Sequence, residues 1–496
     1  MSALQSKQEE NLKAAGETPA LVGYITMAMK LNPNLERACG FAAGILSGKM
    51  GRELRRKISE GNLRLYSGIS DVISNFAKKW DGACPELGRA LDLIQSSTNE
   101  RVQSSRARTL DRAMNLALEG ARDRMRKFSS SIHLPVLLLY CMGVLVPLIL
   151  VGILPVLSVM GGGLGLVQIV ALYCFILPLL VYVLSRQILS KRPSGMEPPI
   201  LSVEGFSPRP LLASASVAIP FLVPAFFIRD TPDVSGLAAL WGVVLAVSVY
   251  FFLTSAPAFR RWKEALEMEE QLPDALIHVG NRVAEGRPAE EAFEQHSRSS
   301  GGKGLGRVLG RAAASVRVGG MGLRASLFDE SRGALREVHS EVVRGVLGML
   351  VDFMEKSTRA AGEAMLQAAE HLRKLGEVRA EMRRMMEEVV GSMRSVALFF
   401  GPLVASVTAR MQGVLSSKAA SATFLGSGMP PTAFFLVLAV YTVILAALLT
   451  DFSVQLEFGE DRVARRVAVA SAIPVALGVF TAGSILGGQA LSSLVG

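Results

Sequence analysis

The chain alternates twice between a charged helical stretch and an apolar one, and its landmarks recur at a nearly constant spacing. Pro19 and Pro273 stand 254 positions apart, each placed to open an amphipathic helix. Leu35-Glu36-Arg37-Ala38 and Ala289-Glu290-Glu291-Ala292 follow at the same offset, and Pro147 and Pro402 sit in the succeeding apolar stretches, 255 apart. A repeat this long, running each time into a lipid-length segment, describes a duplicated membrane protein more readily than an enzyme built on one soluble core.

The composition agrees. Half of the 496 residues are hydrophobic, and the mean hydropathy of +0.36 is high for a soluble chain of this size. Charge is segregated: residues 1–132 carry 21 Lys/Arg against 14 Asp/Glu, residues 255–395 carry 22 against 21, and the rest only 10 against 8. Seven spans of roughly the 20 residues a helix needs to cross a bilayer are expected, at 133–158, 164–184, 211–228, 236–253, 396–414, 432–449 and 467–486. A turn at Gly161-Gly162-Gly163 separates the first two. Prolines 147, 155, 178, 220, 224, 402 and 474 fall inside spans, where neighbouring helices can satisfy the freed carbonyls.

Lys and Arg near the span ends set the orientation. Arg122, Arg124, Arg126 and Lys127, then Arg186, Lys191, Arg192 and Arg209, then Arg260, Arg261 and Lys263 flank one side. Arg383, Arg384 and Arg394 and later Arg462, Arg465 and Arg466 join them, whereas the opposite loops hold only Arg229 and Lys418. One topology satisfies all of these: a multi-pass protein of the cell membrane, with its N-terminus and both charged domains cytoplasmic and its C-terminus outside. The pI near 9.6 is read as this bias and not as a nucleic-acid surface, since no aromatics interleave the basic residues.

Both charged blocks read as helical. Val102, Leu110, Met114, Ala117, Ala121, Met125 and Phe128 step by three or four, and a like stripe runs from Val343 to Val389, with a break expected near Gly362 or Gly376. Leu272, Leu276, Val279 and Val283 line the helix that Pro273 opens, Gly286 suits its exit turn, and a partner helix follows over 288–294. The fold class expected is all-α: a polytopic integral membrane protein with two cytoplasmic helical bundles over 1–132 and 255–395, a four-span block over 133–254 and three spans over 396–496.

Chemistry is sparse. Gly48-Lys49 is followed by Met50 and Gly302-Lys303 by Gly304, so no phosphate-binding loop with its metal-binding hydroxyl exists. Cysteines 39, 84, 141 and 174 are far apart and read as small buried residues. The five histidines are isolated, and His278, beside an apolar face, reads as structural. Glycines 301–306 and 310 read as a flexible linker, and Met382, Met385, Met386 and Met393 as core. Arg410, late in the fifth span, is expected to snorkel to headgroups in preference to facing a polar partner between helices. The segment 451–466 is an acidic cytoplasmic loop and a candidate contact surface. No catalytic, cofactor or metal residue is expected.

Several motifs carry a family resemblance. Leu272-Pro273-Asp274-Ala275-Leu276, then Gly286, Glu291-Ala292-Phe293 and Gly320-Met321-Gly322-Leu323, resemble the F domain of type II secretion systems. Pro19-Ala20-Leu21, Pro33 to Ala38 and Leu87 to Leu91 form a weaker first copy. The Gly/Pro elements Gly143 to Pro147 and Gly401-Pro402, and Phe458-Gly459-Glu460-Asp461 before the last span, are also similar. Two domains with four central and three terminal spans look most like the archaeal branch, of the archaellum J type and its adhesion-pilus relatives, since bacterial platforms of the family usually have three spans. The resemblance marks Pro19, Pro147, Pro273, Asp274, Gly286, Pro402, Gly459 and Asp461 as family or structural positions. It implies a non-enzymatic, self-associating platform in membrane lipid that couples a cytoplasmic hexameric secretion ATPase to pilin-like or archaellin-like membrane subunits, with no nucleic-acid partner. A secondary transporter or a membrane scaffold is the alternative class, although the spans are almost bare of the midplane charges that transporters carry.

Overall fold

The structure, a computed structural model, describes residues 14–62, 68–150, 153, 165–192, 208–227, 232–354, 357–421, 430–459 and 461–495. The expected Gly161-Gly162-Gly163 turn, Pro155, Arg229 and Glu460 lie outside them. Among the described residues there are helices and no strands, so the chain is all-α.

A 3-10 turn at Ala15–Glu17 leads into α1 (Thr18–Leu31), followed by α2 (Leu35–Ile45), α3 (Lys49–Asn62), α4 (Ile69–Trp80) and α5 (Pro85–Ser97). Then α6 (Gln103–Tyr140) passes into a π-helical segment, Cys141–Leu145, and on to Leu150. Next come α7 (Leu166–Ser190), α8 (Pro208–Phe227) and α9 (Pro232–Ala284). The remaining charged helices are α10 (Ala289–Ser299), α11 (Gly304–Arg317), α12 (Leu323–Phe328), α13 (Glu341–Met354) and α14 (Thr358–Ser395). A second π segment, Val396–Phe400, precedes α15 (Gly401–Ser421), and α16 (Pro431–Phe458) and α17 (Arg462–Val495) close the chain.

The duplication is written into the element bounds. Adding 254 to the start of α2 gives the start of α10, and adding 255 to both ends of α3 gives both ends of α11. The same shift of 255 carries the 38-residue α6 onto the 38-residue α14, and the first π segment onto the second.

Among the described residues six helices are long and apolar enough to cross a membrane, and Pro210–Pro224 forms a shorter apolar helix in the region of the third expected span. The chain is thus a multi-pass membrane protein by length and composition. Many apolar side chains on these helices, among them Leu134, Phe175, Leu212 and Phe252, are exposed, as lipid-facing residues are.

The chain divides into two compact units. The first comprises Met1–Phe128, Lys191–Ile200 and Arg260–Met385. Its core is the amphipathic stripes: Leu110, Met114, Ala117 and Ala121 of α6 and Ala361, Met365, Ala368 and Leu372 of α14 are all buried. The second comprises Ser129–Ser190, Leu201–Phe259 and Met386–Gly496. There Val244 on α9 packs with Ile473 and Leu477 on α17, bordered by Trp241 and Leu240. Met382, Met386 and Met393 are buried, as the core reading expected, whereas Met385 is half-buried.

Three local expectations fail. Pro273 does not open a helix: α9 runs unbroken through it. The buried stripe of Leu272, Leu276 and Val279 continues upstream through Met268, Ala265, Trp262 and Ala258, so packing carries the helix past a residue with no N–H to donate to the Glu269 carbonyl. The break in the 338–394 stretch falls between Met354 and Thr358, not at Gly362 or Gly376. Gly362 is helical because α9 and α14 touch there: a Cβ on it would lie 2.3 Å from the Ala284 nitrogen. Finally, the glycines at 301–310 are not a linker. Gly301, Gly302 and Gly304 turn the chain with positive φ, whereas Gly306 and Gly310 lie inside α11. A Cβ at either would overlap the hydroxyl of Ser300 or Ser297, so the α10–α11 hairpin depends on their bareness.

Candidate functional site

In the first unit the two repeats use matching side-chain latches. Arg124 on α6 donates to the Ala15 carbonyl (3.3 Å) and pairs with Glu86 (2.8 Å), whereas Arg379, 255 positions on, pairs with Glu269 (3.5 Å). Residues 15 and 269 are themselves 254 apart, so one arginine position fastens the long helix to the same place in each repeat. Glu269 is buried and also accepts from the Ser340 hydroxyl (2.6 Å), which caps α13 through the Val343 N–H. A second pair of latches caps the third helix of each repeat. The Glu17 carboxylate accepts from the N–H groups of Lys49 and Met50, and Gln271 Oε1 accepts from the Leu305 N–H.

Across the seam between repeats, Arg122 on α6 pairs with Glu381 on α14 (2.7 Å), and Thr26 on α1 meets His371 Nε2 on α14 (3.3 Å). Lys30 and Asp111 form a pair of 2.7 Å within the first repeat. Burial holds His371 in its neutral form, with its pKa depressed to about 4, and nearby Lys30 adds to the shift. Cys39 and Cys84 are fully buried, and burial pushes the Cys39 thiol up to about 12, so neither is a poised nucleophile.

The second unit centres on three proline-bounded π segments. Cys141–Leu145 precedes Pro147, Leu172–Ile176 precedes Pro178, and Val396–Phe400 precedes Pro402. In each, the residue before the proline donates to a carbonyl five positions back: Val146 to Cys141, Leu177 to Leu172, Gly401 to Val396. The wider turn accommodates a ring that would otherwise collide with the preceding carbonyls. Two tyrosines stitch the first of these breaks. Tyr441 on α16 donates to the Gly143 carbonyl (2.5 Å) and Tyr173 on α7 to the Pro147 carbonyl (2.8 Å), with their rings edge-to-face at 5.5 Å. A cavity of about 20 Å³ remains between Gly143, Pro147, Gly401, Thr408 and Tyr441, room for a single water.

The acidic loop contracts as the flanking helices lengthen. α16 extends to Phe458 and α17 begins at Arg462. Gly459 has φ 78°, and the Asp461 carboxylate caps α17 by accepting from Val463 N–H (2.8 Å) and Ala464 N–H (3.2 Å). Asp451 is held by Arg465 (2.5 Å) and Gln455, and Glu457 by Arg394 (3.3 Å). Asp451, Glu457 and Asp461 are thus engaged within the fold, whereas Glu460 lies outside the described residues. Arg410 also departs from expectation. It pairs with Asp233 at the start of α9 (3.7 Å) and lies over the Phe435 ring at 4.7 Å, the interhelical reading and not the snorkelling one.

The remaining marked positions have mostly local roles. Pro19 sits at the first turn of α1, where its missing N–H is harmless. Gly286 ends α9 with φ 89°, its N–H on Val283 and the next on Arg282. Pro147 and Pro402 bound their π segments, Gly459 and Asp461 share one turn, and Asp274 is exposed on α9. His278 is likewise exposed, 5.8 Å from the His296 ring, and not a buried structural residue. Among the described residues no three His, Cys, Asp or Glu side chains are placed to hold a metal ion. No family model, curated protein or solved structure matches the chain.

Proposed function

We propose that the chain is the inner-membrane platform of a type IV pilus-like, archaellum-like or type II secretion-like machine. In this reading it couples a separate cytoplasmic hexameric secretion ATPase to the extraction of pilin-like subunits and their assembly into a filament. The observation that carries it is the doubling: two 38-residue helices, 255 positions apart, each run from a charged stretch into a proline-bounded π segment. The charged repeats are then F-type cytoplasmic domains, seven helices cross the membrane, and the C-terminus lies outside.

The geometry suits a part that bears load. Each long helix is fastened near its middle by an arginine latch, and each π segment is a fixed irregularity in a helix that would otherwise be uniform. Two similar surfaces on one chain engage an oligomeric motor at two points, raising avidity without new contacts. The secondary-transporter alternative draws on the same broken helices, but the spans are almost bare of the midplane charges that transporters carry.

Deleting the gene in its native cell is expected to abolish the filament and leave pilin-like subunits in the membrane. The chain solubilised from native membranes is expected to bring down a hexameric ATPase that cross-links to the charged repeats. Unchanged filaments after deletion, or ATP turnover by the purified chain alone, would overturn the reading.

A further inference from the structure

A groove in the first unit lies between the repeats and has the character of a ligand site. Its volume is about 490 Å³, inside the range of roughly 300–1,000 Å³ typical of small-molecule sites. One wall comes from α1 and α2 and the other from α12 and α13. Three guanidinium groups on three helices line it: Arg37 on α2, Arg324 on α12 and Arg344 on α13. The lining holds one carboxylate, Asp352, which is paired with Arg324. Three arginines and one aspartate leave a net charge of +2. Among the described residues, no carboxylate lies within ion-pair distance of Arg37 or Arg344.

The floor is apolar, formed by Phe41, Met349 and Phe353. Its width is set by backbone packing. A Cβ on Gly345 would lie 2.6 Å from Ile45 Cγ1, and one on Gly348 would lie 3.2 Å from the Phe328 ring, so these two side chains pack directly on the bare backbone of α13.

We propose that this groove binds an organic phosphomonoester, its phosphate between Arg37 and Arg344 and its apolar body on Phe41 and Phe353. A phosphomonoester carries about −1.5 to −2 charge near neutrality, which matches the lining, whereas a monocarboxylate leaves half of that charge uncompensated. Arginine forks from separate helices give the planar, bidentate contacts that phosphate oxygens accept. The two walls belong to different repeats, so a bound ligand ties one repeat to the other. The site stands independently of the platform reading. Its phosphate comes either from a soluble nucleotide or from a phosphatidic-acid headgroup.

The test uses the full chain in nanodiscs of zwitterionic lipid. A fluorescent anthraniloyl derivative of AMP is titrated directly, and dihexanoyl phosphatidic acid is titrated in a separate arm by calorimetry. Saturable binding of either probe at micromolar concentration is expected, and the arm that saturates names the source. The double variant Arg37→Gln/Arg344→Gln should weaken that binding at least tenfold. Both residues are exposed, so the thermal midpoint without ligand should not move. Met349→Trp, which fills the floor and keeps every charge, should weaken it as much and so separates a shaped pocket from general attraction to basic surface. If neither probe saturates below millimolar concentration, or if the double arginine variant or Met349→Trp binds as tightly as the unchanged chain, the proposal is wrong.

Discussion

Tyr441 donates its phenolic hydrogen to the Gly143 carbonyl at 2.5 Å, across 298 positions of sequence. Gly143 stands four residues before Pro147, so its carbonyl is the one that would have accepted from the N–H that proline lacks. The tyrosine therefore supplies the donor that the proline withholds. Glycine at 143 lets the partner helix come close, since a Cβ there would lie 3.0 Å from a Leu445 methyl.

Tyr441→Phe should accordingly leave that carbonyl buried with no donor and destabilise the second unit by about 1–3 kcal/mol. A lowered thermal midpoint of the purified protein in detergent is the readout. Unchanged stability would mean that the π segment satisfies the carbonyl by itself.

The arginine latches predict an asymmetry. Arg379→Gln strands the buried Glu269 with only Ser340 as partner and should cost about 2–3 kcal/mol, the low end for breaking a buried pair because Arg379 is partly exposed. Arg124→Gln loses a bond to a neutral carbonyl and a pair with the half-buried Glu86, so a loss of about 1 kcal/mol is expected. Adding Glu269→Gln to the first variant should restore much of its stability, whereas strict additivity of the two changes would contradict the latch.

The α10–α11 hairpin gives a steric prediction. Gly310→Ala places a methyl 2.3 Å from Ser297 Oγ, and the helices must part or the serine must swing away. A loss of about 1–3 kcal/mol is expected, as for other overpacked contacts. Ser297→Gly in the same chain should recover it. Equal losses in the single and double variants, by thermal unfolding, would place the strain elsewhere.

Periodicity made some of this architecture legible and hid the rest. The stripes of α6 and α14 could be read because burial on one face leaves a 3.6-residue signature in sequence, and the 255-residue spacing of Pro147 and Pro402 marked the repeat, although not the π segments that precede both prolines. Pro273 misled because a local rule about helix starts lost to a packed stripe longer than the proline could interrupt. Gly306 and Gly310 misled in the opposite sense, their four-residue spacing being the mark of a bare helix face and not of a linker. Arg124 and Arg379 were visible as basic residues near spans, but their matching partners Ala15 and Glu269 lie over a hundred positions away, beyond the reach of spacing arguments. Arg410 and Asp233 are more distant still and meet only when α9 and α15 are packed.

The seam between repeats should be acid-labile through His371. The residue is buried against Thr26, and its pKa falls to about 4 from an ordinary 6.5. Because the folded value is depressed, the stability it secures is fully present above pH 6.5 and drains away as pH falls from 6.5 to about 4, the window in which the unfolded chain binds a proton that the native state refuses. The loss across that window approaches about 3 kcal/mol at one site. Thermal midpoints measured from pH 7.5 to 4 should therefore slope downward below 6.5, and His371→Gln, which stays neutral and can still meet the Thr26 hydroxyl, should flatten the slope. Other groups that titrate in the same window, including His296 beside His278, leave a smaller residual slope in both proteins. Identical slopes with and without His371 would show that protonation at the seam is not what loosens the fold.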